Sequence, residues 1–186
     1  MNRFEIHDTA LRGLRIIERR RVLDERGFLS RLFCADELAA AGWCGPVAQI
    51  NHTYTVRRGT VRGLHFQSPP HAEVKIVSCL AGEVWDVAVD IRRGSPTFLR
   101  WHAEHLSAEN LRALLIPQGF AHGYQALSAD CQLIYVHSAP YSQVAQGALN
   151  PTDPRLGIPW PLDITVISER DRSHTFLTPA DQGVAE

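Results

Sequence analysis

Apolar residues in this chain recur in short runs that alternate with polar ones, and Gly, Pro or Asp stands in nearly every gap. The alternation predicts strands over residues 47–55, 60–67, 74–80, 83–91, 98–106, 112–116, 123–127 and 132–138. The run 83–91 shows it most clearly. Val84, Asp86, Ala88 and Asp90 fall on one side, Trp85, Val87, Val89 and Ile91 on the other. Upstream, residues 14–22 and 28–33 read as two strands joined by the turn Asp24-Glu25-Arg26-Gly27. ADELAAA at 35–41 is the best helix former, stopped by Gly42. Many short strands with regular turns predict an all-β sandwich or barrel, most readily a jelly roll.

The segment from Asn150, NPTDPRLGIPWPL, is too rich in proline for regular structure and reads as an ordered arm across the barrel. A short acidic or helical end follows, with SERD at 168–171 its most polar cluster. No repeat or linker interrupts the chain, and its length of 186 residues suits one domain spanning 1–186.

A formal net charge of −1 gives no global basic field for nucleic acid or an anionic membrane surface, so any useful positive charge must be local. No run reaches the roughly 18 apolar residues of a membrane span. MNRFEIHDTALRGL lacks a signal-peptide core, and the chain reads as cytoplasmic. Cys34, Cys44, Cys79 and Cys131 lie in apolar segments without CxxC spacing. They read as buried free thiols of a reducing compartment.

The chemistry concentrates in RRGTVRGLHFQSPPHAEVKIVSCL, residues 57–80. As a strand, 60–67 would put Val61, Gly63, His65 and Gln67 on one face. Pro69 and Pro70 end it, and the next strand is expected to return Lys75 alongside. His65 with Arg62 and Lys75 would be a titratable base among permanent cations, suited to an anionic substrate. PQGFAHG at 117–123 adds a tight turn from which His122 would point into a barrel. Gln49 and Asn51 share one side of their strand; if that side is interior, a polar ligand would give them partners.

Metal binding is the first alternative, because His65, His71, Glu73 and His122 are all ligand types. Phe66–Pro70 separate the first two, and the neighbouring cations oppose a divalent ion. Taken locally, Tyr135 reads as a core aromatic with His137 on its face, and Arg170 and Asp171 read as a solvated end. No hydrolase dyad and no glycine-rich phosphate loop before a helix is evident.

Together, these residues resemble the dTDP-4-dehydrorhamnose 3,5-epimerase family. The matching blocks are DERGF (24–28), QINHTYT (49–55), RGLHFQ (62–67), the Lys75 strand, GEVWDVAVDIRRGSPTF (82–98), IPQGFAHGY (116–124), IYVHSAPY (134–141), NPTDPRLGIPWP and SERD. They are colinear over nearly the whole chain. The resemblance implies a cupin-type jelly roll that uses no metal or other cofactor, forms a homodimer and acts on a nucleotide-linked 4-ketosugar. It assigns His65 as catalytic base, Asp171 as its orienting carboxylate and Tyr135 as general acid. Arg62, Lys75 and His122 would hold substrate, Gln49, Asn51 and Arg26 would contact nucleotide or diphosphate, and Arg170 joins the binding set. Two positions depart from the pattern: Arg31 stands where RGxFxE carries its glutamate, and Gln146 is neutral near a second family acid.

The implied chemistry suits these residue types. A 4-keto group acidifies the hydrogens on C3 and C5, and an enolate reprotonated from the other face is inverted. Lys75 or Arg62 would steady the enolate oxygen. Alternatives are an epimerase of one carbon only, a ketoisomerase on the same barrel, a metal-dependent dioxygenase, and a non-catalytic sugar-nucleotide-binding cupin.

Overall fold

The computed structural model describes residues 3–185. In chain order the elements are β1 (Phe4–Asp8), β2 (Arg15–Arg19), β3 (Arg21–Asp24), β4 (Gly27–Ser30), α1 (Ala35–Ala39), β5 (Gln49–Thr55), β6 (Thr60–Gln67) and β7 (Lys75–Ala81). There follow β8 (Glu83–Asp90), β9 (Trp101–Ser107), β10 (Arg112–Ile116), β11 (Phe120–Ala126), β12 (Cys131–His137), β13 (Gln146–Ala148), β14 (Val166–Ile167) and α2 (Glu169–Arg172). One sheet has the order β1-β2-β10-β7-β12-β5, and the facing sheet β13-β6-β11-β8-β9, with β14 parallel to β6. These two sheets form the jelly-roll barrel of the cupin type. The short hairpin β3–β4 stands apart as its own sheet.

Strand alternation sorts the core into three packed zones. Val77, Cys79, Leu114, Ile116 and Leu133 from the first sheet meet Val84, Ala88, Phe120, Tyr124 and Ala126 from the second inside the barrel. Ile76, Ala113, Leu115 and Val136 point the other way and are covered by Phe4, Leu38, Ala41 and Trp43. The outward residues Leu64, Val87, Val89 and Ala121 lie beneath the proline-rich arm, where Leu156 and Trp160 pack. Trp160 meets Trp85 edge-on at 5.5 Å, and Gln125 clamps Leu162 through both its backbone polar groups. Each fully buried Leu in these zones contributes roughly 2 kcal/mol. The arm is therefore ordered, as its sequence suggested.

Several expectations are corrected. The strand foreseen at 14–22 breaks between Arg19 and Arg21, and its second part turns into the projecting hairpin. Helix α1 ends at Ala39, two residues early. The segment before β9 is held as a turn by Asp90, whose Oδ2 accepts from Ser95 Oγ and Thr97 Oγ1 at 2.6 Å each, so the strand starts at Trp101 rather than at 98. β11 begins at Phe120, directly after the Gly119 turn. β1 was not foreseen although FEIHD alternates, and β13 and β14 are too short to show any alternation. Of the four free cysteines, Cys79 and Cys131 are buried, Cys34 is half-buried and Cys44 is exposed. No helix among the described residues is long and apolar enough to cross a membrane.

Candidate active site

Register builds two facing walls. In the first sheet, His137 pairs with Gln49 on one side and Lys75 on the other, and Tyr135 pairs with Asn51 and Val77. Gln49, His137 and Lys75 thus form one row on the inner face, with Asn51 and Tyr135 in the next. In the second sheet, His65 pairs with His122 and Arg62 with Tyr124. A cavity of about 590 Å³ lies between the walls, lined by side chains from both. Lys75 therefore faces β6 from across the barrel instead of lying alongside it, and its Nζ reaches the His65 carbonyl at 3.5 Å.

The β6 face differs from simple alternation for a physical reason. Between the His65–His122 and Arg62–Tyr124 pairs, β6 spends two residues, Gly63 and Leu64, against one on β11, Gly123. This bulge turns Arg62 onto the same side as His65, three positions apart, and both line the cavity. Gly63 sits at φ +122°, and a Cβ there would meet Gly123 Cα at 2.5 Å. The two glycines allow the backbones to close where the bulge requires it.

His65 Nε2 lies 2.8 Å from Asp171 Oδ1. Asp171 arrives on α2, whose N-cap Ser168 accepts from the Asp171 backbone N–H at 3.0 Å. Its second oxygen accepts from Gly63 N at 3.3 Å. Burial by itself would raise the Asp171 carboxyl, but bonds from His65, Gly63 and Ser168 outweigh it and hold the group below its ordinary value. A carboxylate only accepts, so the neutral imidazole carries its hydrogen on Nε2 and its lone pair on Nδ1.

The charges around the cavity are compensated more fully than the sequence suggested. Lys75 Nζ is 3.2 Å from Glu73 Oε1, with both side chains buried, and Glu73 Oε2 accepts from Gln67 at 2.9 Å. His122 Nε2 lies 2.9 and 3.0 Å from the two oxygens of buried Asp86. Among the described residues Arg62 has no carboxylate partner. Its Nε donates to Thr55 Oγ1 at 3.0 Å and its Nη2 to the Tyr54 carbonyl at 3.2 Å. Arg62 and Arg170 are thus the cations lining the cavity that have no carboxylate partner among the described residues. Burial, then the neighbouring Tyr124 and Asp86, push the Tyr135 phenol well above its ordinary value, so it stays protonated at neutral pH. No group of three His, Cys, Asp or Glu side chains among the described residues is placed to hold a metal ion.

The structure gathers His65, Tyr135, Asp171, Gln49, Asn51, Arg62, Lys75, His122 and Arg170 around this one cavity. Gln49 Nε2 donates to Asn51 Oδ1 at 3.0 Å. Arg26 is the exception. It sits on the exposed hairpin, paired with Asp24 at 2.6 Å, and does not line the cavity. Arg31 pairs with Glu37 away from the cavity, whereas Gln146 lines it and accepts from Tyr141 at 2.6 Å. Asp86, the partner of His122, was given no role by the sequence, although alternation placed it on one side of its strand with Val84 and Ala88. Glu73 was weighed only as a metal ligand.

A jelly roll that sets a carboxylate-backed imidazole on one sheet and a protonated phenol on the other is a cupin-type barrel equipped for acid–base chemistry on two sides of one bound molecule. Comparison with known proteins makes the assignment specific. This chain belongs to the dTDP-4-dehydrorhamnose 3,5-epimerase family, whose model matches residues 8–178. It is 43% identical over 162 residues to the dTDP-4-dehydrorhamnose 3,5-epimerase of Pseudomonas aeruginosa, covering 85% of this chain and 87% of that one. The dTDP-6-deoxy-D-glucose-3,5-epimerase of Legionella pneumophila, solved in complex with dTDP-4-keto-L-rhamnose, superposes with a TM-score of 0.91 at 39% identity, covering 98% of each chain. A dTDP-4-dehydrorhamnose 3-epimerase of Streptomyces niveus is 37% identical over 158 residues, covering 84% of this chain and 76% of that one.

Proposed function

We propose that this chain is a cofactor-independent 3,5-epimerase of a dTDP-linked 4-keto-6-deoxyhexose, serving L-rhamnose or related deoxysugar synthesis. The observation that carries the reading is the placement of Asp171-backed His65 and Tyr135 on opposite walls of one cavity. His65 Nδ1 takes the proton from the carbon next to the ketone. The C–H electron pair becomes the enolate double bond, and the carbonyl pair moves onto O4. Arg62 and Lys75 oppose the charge on that oxygen. Tyr135 Oη then delivers its proton to the same carbon from the other face, and configuration inverts. Asp171 keeps the lone pair on Nδ1 and favours the imidazolium once it forms. His122, fixed by Asp86, packs edge-on against Tyr135 at 5.8 Å and holds the phenol and the sugar in place.

We take 1–186 as one catalytic domain, acting in the reducing cytoplasm that four free thiols suit. We also propose a homodimer. Leu23, Phe28 and Leu29 on the hairpin are 74%, 58% and 64% exposed, an apolar surface a second copy would cover. Arg26, too far out to serve its own cavity, would then reach the partner's diphosphate.

Incubation with dTDP-4-keto-6-deoxyglucose in deuterated water tests the activity. Deuterium at both C3 and C5 is expected. Deuterium at C3 alone would make the protein a mono-epimerase, like the 3-epimerase relative, and none at either carbon rejects the substrate.

A further inference from the structure

Behind Tyr135 runs a set of buried hydroxyls that the proton transfer just described leaves unused. Arg62 Nε donates to Thr55 Oγ1 at 3.0 Å, and Thr55 Oγ1 lies 2.7 Å from Tyr124 Oη. Thr55 and Tyr124 are 2% and 1% exposed, so neither hydroxyl hydrogen can turn to solvent. Thr55 already accepts from the guanidinium, and its own hydrogen needs an acceptor, which Tyr124 Oη provides. That leaves the Tyr124 hydrogen to be donated onward. The next hydroxyl is Thr53 Oγ1. It is buried, lines the same cavity and makes no hydrogen bond of ordinary geometry with any described residue. Thr53 sits diagonal to Tyr135 on the inner face, because its cross-strand partner is Leu133. Its hydroxyl is near enough to both phenols to favour their ionised forms.

Direction follows from this donor count. Thr55 accepts from Arg62 and Tyr124 from Thr55, which leaves the Tyr124 hydrogen free to be passed to Thr53 and the Thr53 hydrogen free for Tyr135. When Tyr135 gives its proton to carbon, its oxygen gains a negative charge in a buried place. A hydroxyl with no firm partner at rest can turn to that oxygen at no loss elsewhere, and such contacts tighten as charge develops.

We propose that Thr53 is a positioning residue of the general acid: its hydroxyl, supplied by Tyr124, Thr55 and ultimately Arg62, donates a hydrogen bond to the Tyr135 phenolate as it forms. This deepens the epimerase reading and rests on it.

The test uses the full-length protein with dTDP-4-keto-6-deoxyglucose in deuterated water, following inversion and base-catalysed exchange separately. Thr53→Val keeps the shape and removes the hydroxyl. It is expected to lower kcat for inversion on the order of 10- to 100-fold. KM should stay within about threefold and exchange by His65 should persist. Thr53→Ser should restore kcat. Tyr124→Phe should reproduce the Thr53→Val loss, and the double variant should be no slower than either, because both break one chain. A Thr53→Val protein that inverts as fast as wild type, or loses only substrate affinity, overturns the proposal. So do losses that multiply in the double variant. Should Thr53→Val not fold, Tyr124→Phe against Thr53→Ser carries the same comparison. Failure of the wild-type protein to exchange any proton would instead reject the epimerase reading.

Discussion

Asp171 Oδ1 lies 2.8 Å from His65 Nε2, although the two residues stand 106 positions apart in sequence. The contact exists because α2 ends against β6, and because Ser168 caps α2 through the Asp171 N–H. Asp171→Asn would keep the shape but present either an amide N–H or a neutral oxygen to the ring. The wrong tautomer then places the hydrogen on Nδ1, where the substrate proton must go. We expect kcat to fall on the order of 10³-fold with KM little changed, read from the rate of deuterium incorporation. A fall of less than about fivefold would remove Asp171 from the mechanism.

Tyr135→Phe separates the two halves of the reaction. His65 lies on the other wall and keeps its carboxylate, so exchange of the substrate C–H with solvent should continue. Inversion should slow by about 10²-fold or more, because no donor remains on the opposite face. Equal loss of exchange and inversion, measured by mass spectrometry and product configuration on one sample, would show that Tyr135 is not the separate acid.

Gly63 is a stability prediction. A methyl group there meets Gly123 Cα at 2.5 Å and the His122 carbonyl oxygen at 2.8 Å, on a backbone at φ +122°. Both obstacles are backbone and cannot swing away. Gly63→Ala should destabilise the fold by roughly 2–4 kcal/mol, seen as a lower denaturant midpoint. It should also lower activity at temperatures where the protein remains folded, since the bulge sets the spacing of Arg62 and His65.

How much of this was readable in advance differs from element to element. β6 and β10 were bounded correctly, because alternation and flanking turn residues agree there. The division of β8 into two faces also held, with Val84, Asp86 and Ala88 on one side, although which side is inward was not assigned. The face of β6 did not hold, because a bulge changes side-chain direction without changing composition. Tyr135 and Asp171 looked like core and solvent on local grounds, and only likeness to a family gave them roles. A four-residue helix cannot announce that its buried Asp171 will meet a histidine on another element. Lys75 was expected beside β6, but strand order in a jelly roll is set by long-range pairing and not by neighbouring sequence. The pairing of Glu73 with Lys75 and the hydroxyl chain from Arg62 were invisible for the same reason.

The projecting hairpin predicts the assembly. Leu23→Asp combined with Phe28→Asp places charges on an exposed apolar surface of a single copy, so the fold of the barrel should survive. If the hairpin packs on a second copy, sedimentation will show a shift from dimer to monomer, and activity will fall with it because Arg26 leaves the partner's cavity. A double variant that sediments as wild type would place any dimer contact elsewhere.

His137 yields a pH prediction of definite sign. Burial, and then the charge of Lys75, lower its pKa from the ordinary 6.5 to about 4, with Glu73 opposing and His122 adding slightly. Its side chain is 14% exposed, and Nε2 finds no partner among the described residues. The folded state therefore resists a proton that the unfolded chain accepts. Above pH 6.5 neither state is protonated and nothing is lost. As pH falls from 6.5 toward 4 the unfolded chain takes up the proton first, and stability declines by up to roughly 3 kcal/mol. Below about 4 the loss from this group levels off. Asp90 does not share this window. Burial would raise its carboxyl, but the Arg92, Ser95 and Thr97 bonds outweigh that and lower it to about 2, so its contribution is lost only below the ordinary carboxylate range. His137→Gln removes the titration and keeps a polar side chain. The variant should lose less stability than wild type between pH 7 and 4.5, measured by urea unfolding at each pH. Parallel curves across that range would mean that His137 charges as easily folded as unfolded, and that the row it shares with Gln49 and Lys75 is open to water.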